Sequence, residues 1–260
     1  MHNGVVAFPA AGDALVRARQ AGATVVFITN APRPGEAVIR QLDALRVHHD
    51  AYDGIVSSGD VTRHVIAERK GRTLCHIGPE RDHAIFTGLD VRFAPLDHAD
   101  YVICSGLEDD EKETPEDYRA RLELMLKRKL LMVCGNPDLV VERGDRLVYC
   151  AGSIADMYEK MGGEVLYAGK PYRPIYELAL AKAEGLRGRK AELTRVLAIG
   201  DSVRTDLTGA RVFGVDFLFM TAGIHAEELG SRAEPDPALM KSIFAAAGHM
   251  PTAVMRELVW

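Results

Sequence analysis

The sequence predicts an α/β protein built on a parallel sheet, and three observations carry that prediction. Short β-branched runs alternate with helical patterns along most of the 260 residues, the order in which crossover helices join parallel strands. The runs are continuously apolar rather than alternating, as strands covered on both faces are. Several end directly in polar or acidic residues, where an open parallel sheet gathers its ligands.

In chain order, "ATVVFIT" (23–29) reads as a buried strand and "GEAVIRQLDAL" (35–45) as a helix. "GIVSS" (54–58) is the next strand and "DVTRHVIAER" (60–69) its helix, with Gly22 and Gly71 as punctuation. A second series then begins with "TLCHIG" (73–78), "VRFAPL" (91–96), "YVICSGL" (101–107), "LLMVCGN" (130–136) and "RLVYCAG" (146–152). Within it, "EDDEKETPEDYRARLELMLKRK" (108–129) opens with acids. Thr114 as N-cap, Pro115 at the first helical position and Asp117 closing a capping box account for them without a cation. The first series resumes at "EVLYAGKP" (164–171), followed by the helix "PIYELALAKAEG" (174–185), a strand over 195–199, the strand "VDFLFMT" (215–221) and a helical region to Trp260. The second series is therefore an insertion: a core domain over 1–69 and 167–260, and a smaller domain over 70–166.

Composition narrows the function. Apolar residues make up 47% and charged residues 27%, with a net charge of −5. No basic stripe offers phosphate backbones a landing surface, which argues against nucleic acid as a partner. No apolar stretch reaches the roughly 20 residues that span a bilayer, and no secretory leader opens the chain, so the expectation is a cytoplasmic protein off the membrane. Cys75, Cys104, Cys134 and Cys150 lie in or beside separate apolar runs without a CxxC pair, and read as buried free thiols.

The chemistry stands at the strand ends. Thr29 and Asn30 follow one strand; Gly169, Lys170 and Pro171 follow another; Gly200, Asp201 and Ser202, then Asp206, follow a third. Two nearby carboxylates favour a hard cation such as Mg²⁺. A hydroxyl and an amide can donate to phosphate oxygens, and a lysine neutralises charge that builds up in transfer. The set points to phosphoryl transfer.

"FITN", "GKPYRPIYELAL" and "IGDSVRTDLTGA" resemble motifs two, three and four of the haloacid dehalogenase-like (HAD) hydrolases, in the NagD-like class IIA branch. The inserted series resembles that branch's C2 cap, and "GNPDLVVERGDRLVYCAG" its Asn-Pro-Asp segment. The resemblance implies a Rossmann-like parallel core, a Mg²⁺-dependent phosphatase acting on a small phosphorylated metabolite, and pairing through caps into a homodimer. Carried over residue by residue, it implies that Thr29 and Asn30 position the phosphoryl group and that Lys170 holds its oxygens and the nucleophile. It gives Mg²⁺ to Asp201 with support from Asp206, and substrate contacts to Asn136 and Asp138. Tyr172 departs from the pattern, since relatives commonly carry His after the Lys-Pro.

The same resemblance implies a nucleophilic aspartate ending a first, central strand, which forms an aspartyl-phosphate. "MHNGVVAFPAAGDALVRARQAG" resembles the loop and helix that follow that strand. Asp13 and Asp60 both read as first-turn helix acids instead. The expectation is an N-terminally shortened phosphatase, inactive or weakly active, with Met1 at an internal position or a late start; the alternative is a non-catalytic phosphometabolite-binding protein. Without the central strand, those bearing Thr29 and Asp201 should either pair directly or leave unpaired backbone, at roughly 1–3 kcal/mol for each buried group.

Overall fold

The computed structural model describes residues 6–143 and 146–260. Pro9, whose φ is preset for a first turn, opens α1 (Pro9–Gln20), and Ala11, Ala14 and Leu15 form its buried face. β1 (Val26–Thr29), α2 (Gly35–Ala44) and β2 (Gly54–Ser57) follow. Ser57 and Asp60 exchange side-chain-to-backbone bonds in a capping box that starts α3 (Ser58–Glu68). Then come β3 (Thr73–Ile77), β4 (Arg92–Phe93) and β5 (Tyr101–Cys104). Thr114 donates its N–H to Asp117 at 2.8 Å, the expected cap, and opens a 3₁₀ turn leading into α4 (Arg119–Arg128). β6 (Leu131–Cys134) precedes the antiparallel hairpin of β7 (Val140–Arg143) and β8 (Arg146–Tyr149). The chain continues through α5 (Ala151–Lys160), β9 (Val165–Tyr167), α6 (Arg173–Arg187) and β10 (Leu197–Gly200). It closes with α7 (Thr208–Phe213), β11 (Asp216–Met220), α8 (Pro237–Ala247) and β12 (Ala253–Met255).

Three expectations are corrected. The strand expected over 91–96 shrinks to the two exposed residues of β4. The strand expected over 146–152 stops at Tyr149, because Cys150 is already the extended N-cap of α5. The C-terminal region is not helical to its end: β12 adds to β11 in parallel, Leu218 opposite Ala253.

The described residues form two compact units, one of residues Met1–Ile28, Ile39–Ile55 and Lys170–Trp260, the other of Thr29–Val38 and Val56–Gly169. In the first, β10, β11 and β12 make a parallel three-stranded sheet, with Leu197 opposite Asp216 and Gly200 opposite Phe219. Phe217 and Phe219 anchor its core, and Phe219 meets the Phe244 ring of α8 edge-on at 5.0 Å. Among the described residues β10 is an edge strand, and its Leu197 and Ile199 are 52% and 40% exposed. β1 and β2 form a separate two-stranded sheet, and every residue of β1 is only half-buried. Among the described residues no ladder joins β1 to β10, so these neighbours do not close up by pairing directly.

The second unit is a five-stranded parallel sheet in the order β4-β3-β5-β6-β9. β5 is buried on both faces, and its alternate residues serve two cores. Val102 and Cys104 pack with Leu122 and Met125 of α4 and with Ile154 and Tyr158 of α5. Tyr101 and Ile103 pack with Val65 and Ile66 of α3. That second cluster explains why α3 belongs to this unit although the sequence places it in the core domain. All four cysteines are free thiols, three of them buried. No described helix is long and apolar enough to cross a membrane.

Candidate active site

The sequence-predicted residues fall into two groups, one in each unit. In the first unit, Lys170 directly follows the strand-end glycine and precedes a cis-proline, Pro171. Its Nζ lies 2.6 Å from Asp206 Oδ1, and the two side chains are only 16% and 11% exposed. The other Asp206 oxygen accepts the backbone N–H groups of Asp201 and Ser202 at 3.2 and 3.1 Å. Asp206 can reach back this way because Val203–Leu207 form a π-helical turn, started by Ser202 accepting the Thr205 N–H. One carboxylate thus fixes both the lysine and the turn after β10, where charge-assisted bonds are the strong ones.

Asp201 is held from another side. Its Oδ2 accepts the Ile224 N–H at 2.9 Å, and the loop carrying Ile224 is tied back by His225, whose Nε2 accepts the Val203 N–H at 3.2 Å. Nδ1 of that ring therefore carries the proton and donates to Glu228 at 2.9 Å. Sequence reasoning missed this loop, since "TAGIHAEEL" shows no spacing that announces contact with Asp201.

The metal expectation can be tested on these donors. Both Asp206 oxygens are committed to Lys170 and backbone N–H groups, which leaves Oδ1 of Asp201 as the open carboxylate oxygen. Among the described residues no three His, Cys, Asp or Glu side chains converge as a metal cluster. A lone carboxylate fits Mg²⁺, which keeps most of its waters and borrows phosphate oxygens. It does not suffice for tight binding by itself. Calorimetry on the ligand-free chain is therefore expected to give weak, unsaturated Mg²⁺ binding; tight stoichiometric uptake would contradict the assignment.

The second unit holds Thr29, Asn30, Asn136 and Asp138, and it brings three of them together. Asn30 Nδ2 donates to Asp138 Oδ1 at 3.0 Å, and the Asp138 N–H donates to Asn136 Oδ1 at 3.1 Å. The Asn-Pro-Asp segment thus braces the buried Asn30. Thr29 Oγ1 accepts the Ala31 N–H at 3.3 Å, which turns the chain just after β1. Gly169 lies so close that a Cβ there would sit 2.5 Å from Asn30 Oδ1 and 2.9 Å from Ser58 Oγ. Any side chain would push this loop apart. Ser58 is a site residue that the strand-end residues named above do not include: its hydroxyl is fully buried, with no hydrogen-bond partner among the described residues. It stands at the carboxyl end of β2, so the strand-end rule could have found it.

A family model described as haloacid dehalogenase-like hydrolase matches residues 1–92, and a HAD-hydrolase-like model matches residues 167–247. The chain is similar to the solved structure of a haloacid dehalogenase-like hydrolase from Brucella suis 1330, with 46% identity over 99% of this chain and 92% of that one, at a TM-score of 0.83. It also shares its fold with the p-nitrophenyl phosphatase from Archaeoglobus fulgidus, at 19% identity over 98% of this chain and 93% of that one, TM-score 0.71. The 4-nitrophenylphosphatase from Thermotoga maritima is alike at 20% identity over 99% and 92%, TM-score 0.72. A search of curated proteins finds no match. Two family models on the two halves of the core motifs, and the 46% identity along almost the whole chain, give one conclusion: the chain belongs to the haloacid dehalogenase-like hydrolase family.

Proposed function

We propose that the protein is a phosphatase of this family that hydrolyses a small phosphomonoester with Mg²⁺. The observation that carries the reading is the buried Lys170–Asp206 pair, which holds an ammonium in a fixed position at a strand end while Asp206 also fixes the backbone of Asp201. A lysine placed this way neutralises charge on phosphoryl oxygens without reorganising when the charge appears. By resemblance to the family, Thr29 and Asn30 are donors to phosphoryl oxygens, and Asn30 is kept in its rotamer by Asp138. Asp201 would hold Mg²⁺ through Oδ1, and the metal would polarise the phosphoryl group when bound. The two more distant structures, a p-nitrophenyl phosphatase and a 4-nitrophenylphosphatase, support the same reaction class.

The attack on phosphorus requires a carboxylate nucleophile. Among the described residues no acid other than Asp201 ends a strand of the first unit. We therefore assign the 260-residue chain weak turnover at most. The second reading is a phosphometabolite-binding protein without catalysis. Assay with p-nitrophenyl phosphate and Mg²⁺ separates them. The expected result is slow hydrolysis that Asp201→Asn reduces to the blank. Hydrolysis indifferent to Asp201→Asn overturns the phosphatase assignment, and phosphate binding without any hydrolysis selects the binding protein.

A further inference from the structure

The loop after β11 meets the Asp201 turn at two points. Ile224 donates its N–H to Asp201 Oδ2 at 2.9 Å, and the next residue, His225, accepts the Val203 N–H on Nε2 at 3.2 Å. We propose that His225, braced by Glu228, is a positioning residue that presents Oδ1 of Asp201 to the cation. The inference rests on the phosphatase reading above, in which Asp201 holds Mg²⁺, and deepens it by naming what fixes that carboxylate.

The loop needs an anchor because the residue that touches Asp201 has little packing of its own. Ile224 is 68% exposed, so burial does not hold the N–H it aims at the carboxylate. Before it, the backbone of Gly223 rests directly on Asp201: a Cβ there would lie 2.1 Å from both Cβ and Oδ2 of that residue. After it, Ala226 and Leu229 are buried and moor the far end of the loop. Between these, the His225 imidazole ties the loop to the turn that starts at Val203, two residues beyond Asp201.

The ring is itself set from two sides. It lies tilted by 30° to the Phe219 ring at 6.3 Å, and Phe219 belongs to the buried core of β11. Because Nε2 accepts a backbone N–H, Nδ1 carries the proton and donates to Glu228 at 2.9 Å. The Val203 N–H opens its turn and has no partner within it, so an acceptor from outside is what that position requires.

The consequence for a cation follows from preorganisation. A carboxylate free to swing must be ordered each time it binds, a cost that a fixed one avoids. Mg²⁺ is demanding in this respect, since it holds near-octahedral geometry and takes few protein oxygens. With Oδ2 occupied by Ile224, Oδ1 is the oxygen offered. Groups that orient a ligating carboxylate in this way change metal affinity without touching the metal.

Titration of the full chain with Mg²⁺, followed by the amide proton and nitrogen shifts of Ile224 and Val203, tests the proposal, because such shifts report binding too weak to saturate calorimetry. Hydrogen exchange at the same two amides without metal is the second readout. His225→Phe keeps a ring against Phe219 but loses the acceptor. It is expected to weaken Mg²⁺ binding about fivefold and to speed exchange at both amides, the range of one neutral hydrogen bond. His225→Gln, whose side-chain oxygen can take the Val203 N–H, is expected to stay within about twofold of the unsubstituted chain. His225→Gln as weak as His225→Phe or weaker, or equal affinities in all three proteins, overturns the inference alone, because the acceptor then makes no difference. Should His225→Phe fail to fold, Glu228→Ala removes the Nδ1 partner from a side chain that is 63% exposed. An affinity loss of about twofold is expected there, and no change overturns the inference. An unsubstituted chain without any Mg²⁺-dependent shift overturns the metal assignment of Asp201 and the inference with it.

Discussion

Replacing Lys170 by methionine is expected to lower the unfolding free energy by about 3–5 kcal/mol, the usual cost of removing one partner of a buried ion pair. The reason is the carboxylate left behind. Asp206 is 11% exposed in its side chain, and after the substitution its Oδ1 has lost an ammonium at 2.6 Å while remaining out of water. The two N–H groups of Asp201 and Ser202 still reach Oδ2, but neutral donors do not balance a buried charge. Asp206→Asn should be milder in the turn, because an amide oxygen can still accept from backbone, although it removes the carboxylate charge 2.6 Å from Lys170 Nζ. The double variant Lys170→Met with Asp206→Asn removes both charges and is expected to recover part of the loss. Urea unfolding followed by circular dichroism measures all three, and the cycle isolates the coupling. A Lys170→Met effect below about 1 kcal/mol would place the pair in the class of solvent-screened surface bridges. It would also remove the main support for a preset ammonium in phosphoryl transfer.

How much of this was legible in the residues follows from what each signal depends on. β10 and its acidic end could be read because a continuous apolar run, a glycine and an aspartate are local features. β12 could not: "TAVM" after Pro251 carries no strand signature of its own, and it is ordered by pairing with β11. The strand over 146–152 was read too long because "YCAG" is apolar, although the extended Cys150 caps a helix there. Asp201 and Asp206 were found by spacing, yet their unlike duties were hidden. Asp206 binds a lysine 36 residues earlier, and Asp201 binds a loop 23 residues later. Arg81, Asp82, Ser105 and Asn136 line one cavity of the second unit, yet they come from a 3₁₀ turn after β3 and from the segments that follow β5 and β6, and they form no motif in the chain.

His76 gives the second large effect, a loss of stability between pH 6.5 and pH 4. The ring packs against His83 at 5.2 Å and against Phe86 at 5.0 Å, and its Nε2 lies 2.9 Å from Ser105 Oγ. Burial, reinforced by repulsion from His83 and partly opposed by Glu108, pushes its pKa down to about 4. In the unfolded chain the same imidazole titrates near 6.5. Above that value neither state is protonated, and the group adds no pH dependence. As pH falls from 6.5 to 4 the unfolded chain takes up a proton that the native ring refuses, so stability drops by an amount of order 3 kcal/mol. Below pH 4 both states are protonated and this contribution stops changing. Asp82 works in the opposite direction, because its raised pKa lets the native state protonate before the unfolded one as pH falls. The two are separated with His76→Gln, which keeps an N–H for Ser105 but cannot titrate. The difference in unfolding free energy between the protein and this variant should shrink steadily from pH 7 to pH 4. An identical pH profile for both would show that His76 takes up its proton in the native state as readily as in water. Ser105 would then lie beside a cation rather than beside a neutral ring.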